Sequence, residues 1–173
     1  SDWFGCYRQG WGVNLVPEAF THPAKVSFSL AERIYAHLRE EGWIAPGAVI
    51  LDPFAGIGGF ALHAMLAGCE FIGVELEQKF VDLAAQNIAA WNARYAGRMP
   101  TWGSAVVLQG DSRKLLAWSF AGGKVGGVVG SPPYAAGRVH PHGIDQEMLA
   151  KWHPGKNSQA VIMNAYGPSP SNL

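Results

Sequence analysis

The chain has 173 residues and carries 13 basic and 13 acidic side chains, so its formal net charge is zero. This length fits one domain that can bury a core of its own. The balanced charge, with no dense Lys/Arg run, excludes a strongly basic nucleic-acid footprint, although it leaves nucleic acid open as a substrate.

The sequence contains no signal peptide and no apolar run of about 18 residues or more. We therefore expect a soluble, cytoplasmic protein without a membrane partner. Cys6 and Cys69 are predicted to be buried reduced thiols and not a disulfide, because cytosolic thiols stay reduced. The chain starts at Ser1 and stops at Leu173 after a Gly/Pro/Ser stretch, which we interpret as trimming from a longer protein.

The N-terminal stretch, up to Phe20, shows neither helical nor strand periodicity. It contains four aromatic residues among glycines: Trp3, Phe4, Tyr7 and Trp11. We expect these side chains to cover an edge of the sheet, with a base-stacking platform as the alternative. Pro23 then biases His22 away from helix, so residues 21–26 are predicted to be extended.

The first helix is predicted from a capping box, Ser29-Leu30-Ala31-Glu32. Leu30, Ile34 and Leu38 then fall on one helical face, which we expect to be buried. Gly42 is predicted to end this helix.

Apolar runs predict strands over residues 49–51, 70–74, 105–108 and 126–130. Helical patterns follow the first three strands, over residues 60–66, 79 to about 91, and 113–118. Gly68 is expected to end the first of these helices, and His63 within it is interpreted as a packed core histidine. The buried face of the second is predicted to be Phe80, Leu83, Ala84, Ile88 and Trp91. Beyond residue 135 we expect a mobile loop with a short helix over 145–152 and an apolar piece over 161–163.

Strands that alternate with helices predict an α/β fold with a doubly wound, mainly parallel sheet. Polar residues stand where each predicted strand ends: Asp52, Glu75, Asp111 and Ser131. Because ligands of such sheets bind outside the carboxyl ends of the strands, we expect these four side chains to line one crevice.

The loop after the first strand, Gly56-x-Gly58-x-x-Ala61, fits the dinucleotide-binding fingerprint when taken with Glu75. On that pattern a nicotinamide-dependent oxidoreductase stays open. Asp52, however, places a carboxylate where a pyrophosphate binder would avoid one. S-adenosylmethionine has an α-ammonium group and a ribose diol but no phosphate, so it suits Asp52 and Glu75 better.

The tetrapeptide Ser131-Pro132-Pro133-Tyr134 follows the fourth strand directly. Its prolines fix φ and remove two donors, which leaves rigid carbonyl groups facing the cleft. Ser131 Oγ and the Pro132 carbonyl can accept hydrogen bonds from an exocyclic amino group, and Tyr134 offers a flat face to an extruded base.

Asp52-Pro53-Phe54-x-Gly56-x-Gly58 together with Ser131-Pro132-Pro133-Tyr134 resembles the S-adenosylmethionine-dependent DNA amino-methyltransferases, which modify cytosine N4 or adenine N6. His22-Pro23-Ala24-Lys25 resembles their additional cofactor-binding motif, and Tyr166-Gly167-x-x-Pro170-x-x-Leu173 is similar to a segment that follows the Pro-Pro-Tyr loop in some of them. The resemblance implies a Rossmann-like class I methyltransferase fold. We expect it to be incomplete here, because this family has more strands than the sequence predicts.

The resemblance also implies site residues. Those implied to bind the cofactor are Ala24, Lys25, Asp52, Pro53, Phe54, Ala55, Gly56, Gly58, Gly59, Glu75, Leu76 and Asp111. Among them, Glu75 would hold the ribose, Leu76 would lie against the adenine, and Asp111 would receive the adenine amino group. Ser131, Pro132, Pro133 and Tyr134 would hold the target base while its amine displaces the methyl group in line, without a catalytic metal.

The function predicted from this resemblance is DNA methylation of the restriction-modification kind. Cytosine N4 is favoured over adenine N6, because the serine form of the tetrapeptide leans that way in the family. Residues 1–173 are expected to form a single catalytic domain without a target-recognition domain. The alternatives are an RNA or protein-amide methyltransferase, the oxidoreductase, and a non-catalytic fragment whose sheet is completed by a second copy or a partner chain.

Overall fold

The computed structural model describes residues 3–22, 25–117 and 124–131, all within one compact unit. The helices are α1 (Phe28–Glu40), α2 (Ala61–Leu66) and α3 (Gln78–Tyr95). The strands are β1 (Val49–Asp52), β2 (Glu70–Glu75), β3 (Ser104–Gln109) and β4 (Gly127–Val128). Short 3-10 turns lie at Gly12–Asn14, Pro17–Thr21 and Ser112–Ala117. The helix and apolar piece predicted over 145–152 and 161–163 lie outside the described residues.

The strands form one sheet in the order β3-β2-β1-β4, and every pairing is parallel. From β1 the chain steps outward through β2 to β3, whereas β4 lies on the other side of β1. The direction of winding therefore reverses between β1 and β4, which is where ligands of such sheets bind. The predicted doubly wound parallel sheet is confirmed.

The described helices cover one face of this sheet. Helices α2 and α3 both pack on β2 and β3, and α2 contacts both α1 and α3. Ile50, Phe71 and Val107 point from the sheet into this core. On the other face, Leu51 lies in register with Ile72 and Val128, and Val128 is 63% exposed.

Two helix ends follow the sequence closely. Gly42 and Gly68 adopt positive φ angles of 69° and 74° directly after α1 and α2, as predicted. Helix α3 runs to Tyr95, four residues beyond its predicted end. Its last turn is stabilised from the N-terminal segment, because the Tyr95 hydroxyl donates to Asn14 Oδ1 at 2.8 Å.

The capping box predicted at Ser29 is wrong. Helix α1 begins at Phe28 with Ser27 as its N-cap, and no side chain caps it. The N-terminal segment uses both hydroxyls instead: Ser27 Oγ donates to the Cys6 carbonyl at 2.7 Å, and Ser29 Oγ accepts from the Gln9 amide at 3.2 Å. Tertiary hydrogen bonds thus override a local capping preference.

The prediction that the N-terminal aromatic residues cover a sheet edge is also wrong for the described segment. Its hydrogen bonds run to the helical layer: the Val16 amide donates to Asn87 at 2.9 Å, and Trp91 Nε1 donates to the Asn14 carbonyl at 2.6 Å. Trp11 is buried in the core, whereas Tyr7 is 76% exposed.

Cys6 and Cys69 are buried and unlinked, as predicted. Among the described residues, no helix has both the length and the apolar character needed to cross a membrane.

Candidate functional site

The carboxyl edge of the sheet gathers the four polar residues that end its strands, as predicted: Asp52, Glu75, Asp111 and Ser131. Backbone hydrogen bonds hold the strand ends together. The Ala55 amide donates to the Val74 carbonyl at 2.9 Å, and the Gly110 amide donates to the Glu75 carbonyl at 2.9 Å. On the other side, the Val129 amide donates to the Leu51 carbonyl at 3.0 Å, which fixes the start of the tetrapeptide beside the end of β1.

The glycine loop between β1 and α2 needs glycine at two positions. Gly56 and Gly58 have φ angles of +52° and +80°, a region that other residues rarely adopt. A Cβ atom on Gly56 would lie 3.2 Å from His22 Nε2, so the His22 ring lies directly against this turn. The neighbouring Pro53 is half-buried, Ala55 is buried, and Gly59 faces Val26.

The loop also lies unusually close to β2. A Cβ atom on Gly73 would come within 2.6 Å of Ala55 Cβ and 2.9 Å of Val107 Cγ2. Glycine at position 73 therefore lets the loop cross over the strand. Gly73 belongs to none of the predicted site motifs; its only sequence signal is a glycine inside an apolar run, which is typical of close backbone approach.

Asp52 is the most buried carboxylate of the crevice, with 1% of its surface exposed. The Phe54 amide donates to its Oδ1 at 2.9 Å. Burial raises the pKa of Asp52 to about 7, the Phe54 amide opposes that shift, and the Glu75 charge adds to it. The Asp52 carboxylate is therefore about half ionised at neutral pH. A cation bound beside it would stabilise the ionised form and lower its pKa.

Both carboxylate oxygens of Glu75 accept hydrogen bonds from backbone amides. Oε2 accepts from Gly56 at 3.0 Å, and Oε1 accepts from Glu77 at 2.9 Å. Each oxygen retains a second lone pair, so the side chain can still accept from a diol. Phe54 and Leu76, which are 37% and 63% exposed, supply apolar surface on the same side.

Asp111 lies next to the end of β2 and is paired with Arg113. The Arg113 guanidinium contacts both carboxylate oxygens, with Nη2 at 2.7 Å from Oδ2. The side-chain hydrogen bond from Arg113 holds the pKa of Asp111 at about 2. A ligand amino group at Asp111 would therefore share the carboxylate with an arginine.

The Lys25 side chain makes its hydrogen bonds within residues 20–25. Its ammonium group donates to the Phe20 carbonyl at 2.9 Å and to the His22 carbonyl, and burial lowers its pKa. These bonds hold His22 against the glycine loop, where its ring also meets Phe80 edge-on at 4.3 Å. His22 is part of the His22-Pro23-Ala24-Lys25 motif but was not among the residues predicted to bind the cofactor, and Ala24 lies outside the described residues.

Of the tetrapeptide predicted to hold the target base, the structure describes only Ser131, which is exposed. Pro132, Pro133 and Tyr134 lie outside the described residues. The preceding residue, Gly130, borders Asp52: a Cβ atom there would lie 2.9 Å from Asp52 Oδ1. Within the described part of the chain, the crevice therefore joins the glycine loop to the start of the tetrapeptide.

The chain matches a family model, curated proteins and a solved structure that are described as methylases or methyltransferases. Residues 7–86 match the model of a family described as DNA methylase. A protein of Escherichia coli (strain K12), provisionally named methylase YubD, is 38% identical over 50 residues, which are 29% of this chain and 22% of that protein. The tRNA (guanine(10)-N2)-dimethyltransferase of Pyrococcus abyssi (strain GE5 / Orsay) is 28% identical over 102 residues, or 59% of this chain and 27% of that enzyme. The chain thus spans about a quarter of the length of these curated relatives.

Among solved structures, the rRNA methyltransferase aviRa from Streptomyces viridochromogenes has a TM-score of 0.55 with 16% sequence identity. The match covers 87% of this chain and 78% of that one. The likeness shows that the fold is the Rossmann-like fold found in methyltransferases, as the sequence predicted.

Proposed function

We propose that this chain binds S-adenosylmethionine in the crevice and is the catalytic part of a methyltransferase that acts on the exocyclic amine of a nucleic-acid base. The observation that carries the proposal is the adjacency of β1 and β4. It brings Asp52, at the end of one strand, beside Gly130 and Ser131, just past the end of the other. One crevice then serves both the methyl donor and the acceptor.

The charges of the crevice favour this donor over a dinucleotide. Asp52 places a carboxylate beside the glycine loop, where it would repel a pyrophosphate, whereas Glu75 would suit the ribose of either ligand. The α-ammonium group of S-adenosylmethionine is instead attracted to Asp52. Its ribose hydroxyls match the acceptor positions left on Glu75.

When bound, S-adenosylmethionine supplies an electrophilic methyl group on a sulfonium centre. Ser131 Oγ and the Pro132 carbonyl would accept hydrogen bonds from the target amine. These bonds would favour a tetrahedral nitrogen. The amine nitrogen would then take the methyl group as the carbon–sulfur bond breaks, with the electron pair left on sulfur and the surplus proton released to water. Positioning of the two reactants supplies much of the remaining acceleration.

DNA is the substrate that we propose, with cytosine N4 ahead of adenine N6. Support comes from the match of residues 7–86 to a family described as DNA methylase. The serine of the tetrapeptide adds to it, through the resemblance noted above. We also propose a cytoplasmic enzyme of the restriction-modification kind.

RNA is the second candidate, and one observation favours it. A relative matched over 102 residues has a name that gives tRNA guanine N2 as its target, which is also an exocyclic amine. The same crevice chemistry would serve either nucleic acid. Incubation of the chain with labelled S-adenosylmethionine and DNA or RNA, followed by mass spectrometry of the nucleosides, separates the two. Label in RNA alone would refute the DNA assignment.

Cofactor binding is tested first, by calorimetry with S-adenosylhomocysteine. We expect binding to the wild-type chain and at least a tenfold weaker affinity for Asp52→Asn and Glu75→Gln. Glu70→Gln is the matched control, because Glu70 is exposed at the opposite end of the same strand. Absence of binding to a folded wild-type sample, or tighter binding of NADH, would refute the proposal.

We also propose that a partner chain or a second copy of this chain completes the sheet. Support comes from β3 and β4, which are the edge strands of the sheet within the described residues and could each pair with a further strand. Sedimentation of the chain from micromolar to millimolar concentration tests it, and a monomer throughout that range would contradict the second-copy form.

A further inference from the structure

We infer that Gly130 is a positioning residue. Because Gly130 has no side chain, the Asp52 carboxylate can lie between the ends of β1 and β4. This placement sets the spacing between the donor and acceptor halves of the crevice. This inference rests on the proposed function. It concerns a position that no motif described above includes.

The contact is close and directional. A Cβ atom on Gly130 would lie 2.9 Å from Asp52 Oδ1, 3.7 Å from Asp52 Cγ and 3.4 Å from Pro53 Cδ. A carbon atom at 2.9 Å from an oxygen is inside van der Waals contact, so the carboxylate or the strand end would have to move. Position 130 therefore faces the two residues that open the glycine loop.

The Asp52 carboxylate has little freedom to move away. It is 1% exposed, and its Oδ1, the atom that the new Cβ would approach, accepts the Phe54 amide at 2.9 Å. Displacing Oδ1 would break the bond that holds the turn into the glycine loop. The cheaper response would be a shift of the strand end that carries Ser131.

Either response would harm the proposed reaction. A displaced carboxylate no longer meets the ammonium group of the cofactor, whereas a displaced Ser131 no longer lines up the amine for in-line attack. An error of about 1 Å in such alignment can cost about 100-fold in rate. Gly130 thus links the two halves of the crevice without touching a reactant.

Two features of the chain allow a substitution to isolate the effect of a Cβ atom at position 130. Gly130 is not among the glycines with positive φ, so alanine there would meet no backbone strain. Gly127, the first residue of β4, offers the matched control: a Cβ atom there would make an ordinary contact with Ile50 Cδ1 at 3.5 Å. Both substitutions lose the same glycine flexibility of the unfolded chain.

The experiment measures urea unfolding and S-adenosylhomocysteine affinity for wild type, Gly130→Ala, Gly127→Ala, Asp52→Ala and the Asp52→Ala/Gly130→Ala double variant. We expect Gly130→Ala to weaken affinity at least tenfold and to lower the unfolding midpoint, and Gly127→Ala to change affinity less than twofold. Because Asp52→Ala removes the oxygen that clashes, Gly130→Ala should no longer lower the midpoint in that background.

The outcomes separate the inference from the proposed function. Equal effects of Gly130→Ala and Gly127→Ala on midpoint and affinity would overturn the inference, as would a destabilisation by Gly130→Ala that persists without the Asp52 carboxylate. If wild type binds no S-adenosylhomocysteine, the proposed function fails, while the unfolding cycle still decides whether residue 130 acts through Asp52.

Discussion

The Gly56 amide donates a hydrogen bond to Glu75 Oε2, at 3.0 Å, across the gap between the glycine loop and the end of β2. The other carboxylate oxygen accepts from Glu77, so one side chain fixes two turns at once. A residue expected to bind ribose therefore also builds the loop that faces the rest of the cofactor. Loss of its charge should affect both tasks.

Glu75→Gln should weaken S-adenosylhomocysteine binding by more than Leu76→Ala does. Glutamine offers one acceptor and one amino group, so its amino group must face the amide of Gly56 or of Glu77, donor against donor. Leaving such a group unsatisfied costs about 1–3 kcal/mol, or roughly 5- to 150-fold in affinity. Calorimetry of both variants checks this, and a smaller loss for Glu75→Gln than for Leu76→Ala would contradict it.

Cofactor affinity should fall as the pH is lowered through neutrality. With a pKa of about 7, the ionised fraction of Asp52 drops steeply between pH 7.5 and 6, and only the ionised form attracts the ammonium group. The fall over that interval should be about eightfold. Asp52→Asn should bind weakly and show no such dependence, so a pH profile that it shares with wild type would exclude Asp52 as the cause.

The same carboxylate should lower the stability of the unliganded chain at high pH. Its pKa in the fold, about 7, lies above the unfolded value of 3.8, so the folded state binds the proton more tightly and stability declines as the pH rises from about 4 to 7. Asp52→Asn removes that penalty, which amounts to at most roughly 4 kcal/mol. We expect this variant to unfold at higher urea concentration than wild type at pH 8, with a difference about four times smaller at pH 4.5.

His63 should act in the opposite direction. Its side chain is 4% exposed and packs on Phe28 at 4.7 Å, and burial lowers its pKa to about 4. The folded value lies below the unfolded value of 6.5, so the chain loses stability as the pH falls from 6.5 to 4. The loss amounts to roughly 3 kcal/mol.

His63→Phe tests this in urea titrations from pH 4 to 7. The variant should show the decline that Asp52 causes as the pH rises, because the opposing contribution of His63 is gone. Asp52→Asn should show the opposite slope over the same range. Parallel profiles for the two variants would be inconsistent with these assignments.

Asn87 joins the N-terminal segment to the glycine loop. It is fully buried, its Oδ1 accepts from the Val16 amide at 2.9 Å, and its Nδ2 donates to the Ile57 carbonyl at 3.1 Å. Asn87→Ala leaves both partners unsatisfied and should cost about 2–4 kcal/mol of unfolding free energy. Asn92→Ala on the same helix removes a more exposed bond to Trp102 and should cost less than about 1 kcal/mol.

The sequence by itself determined the sheet, its direction and the edge at which the polar residues gather. Apolar runs with period and length typical of parallel strands, separated by helical patterns, allow few other topologies. Gly56 and Gly58 were identifiable because only glycine tolerates their backbone angles. Asp52, Glu75 and Ser131 followed from their places directly after strands.

Only the tertiary structure decided how those residues are used. Glu75 holds Gly56, and Ser29 binds Gln9 and caps no helix; both contacts join groups 19 and 20 residues apart in sequence. Gly73 and Gly130 matter through the side chains that fill the space beside them, which no local pattern encodes. Local propensity fixes the elements, whereas hydrogen bonds and close contacts between elements fix the chemistry of the edge where they meet.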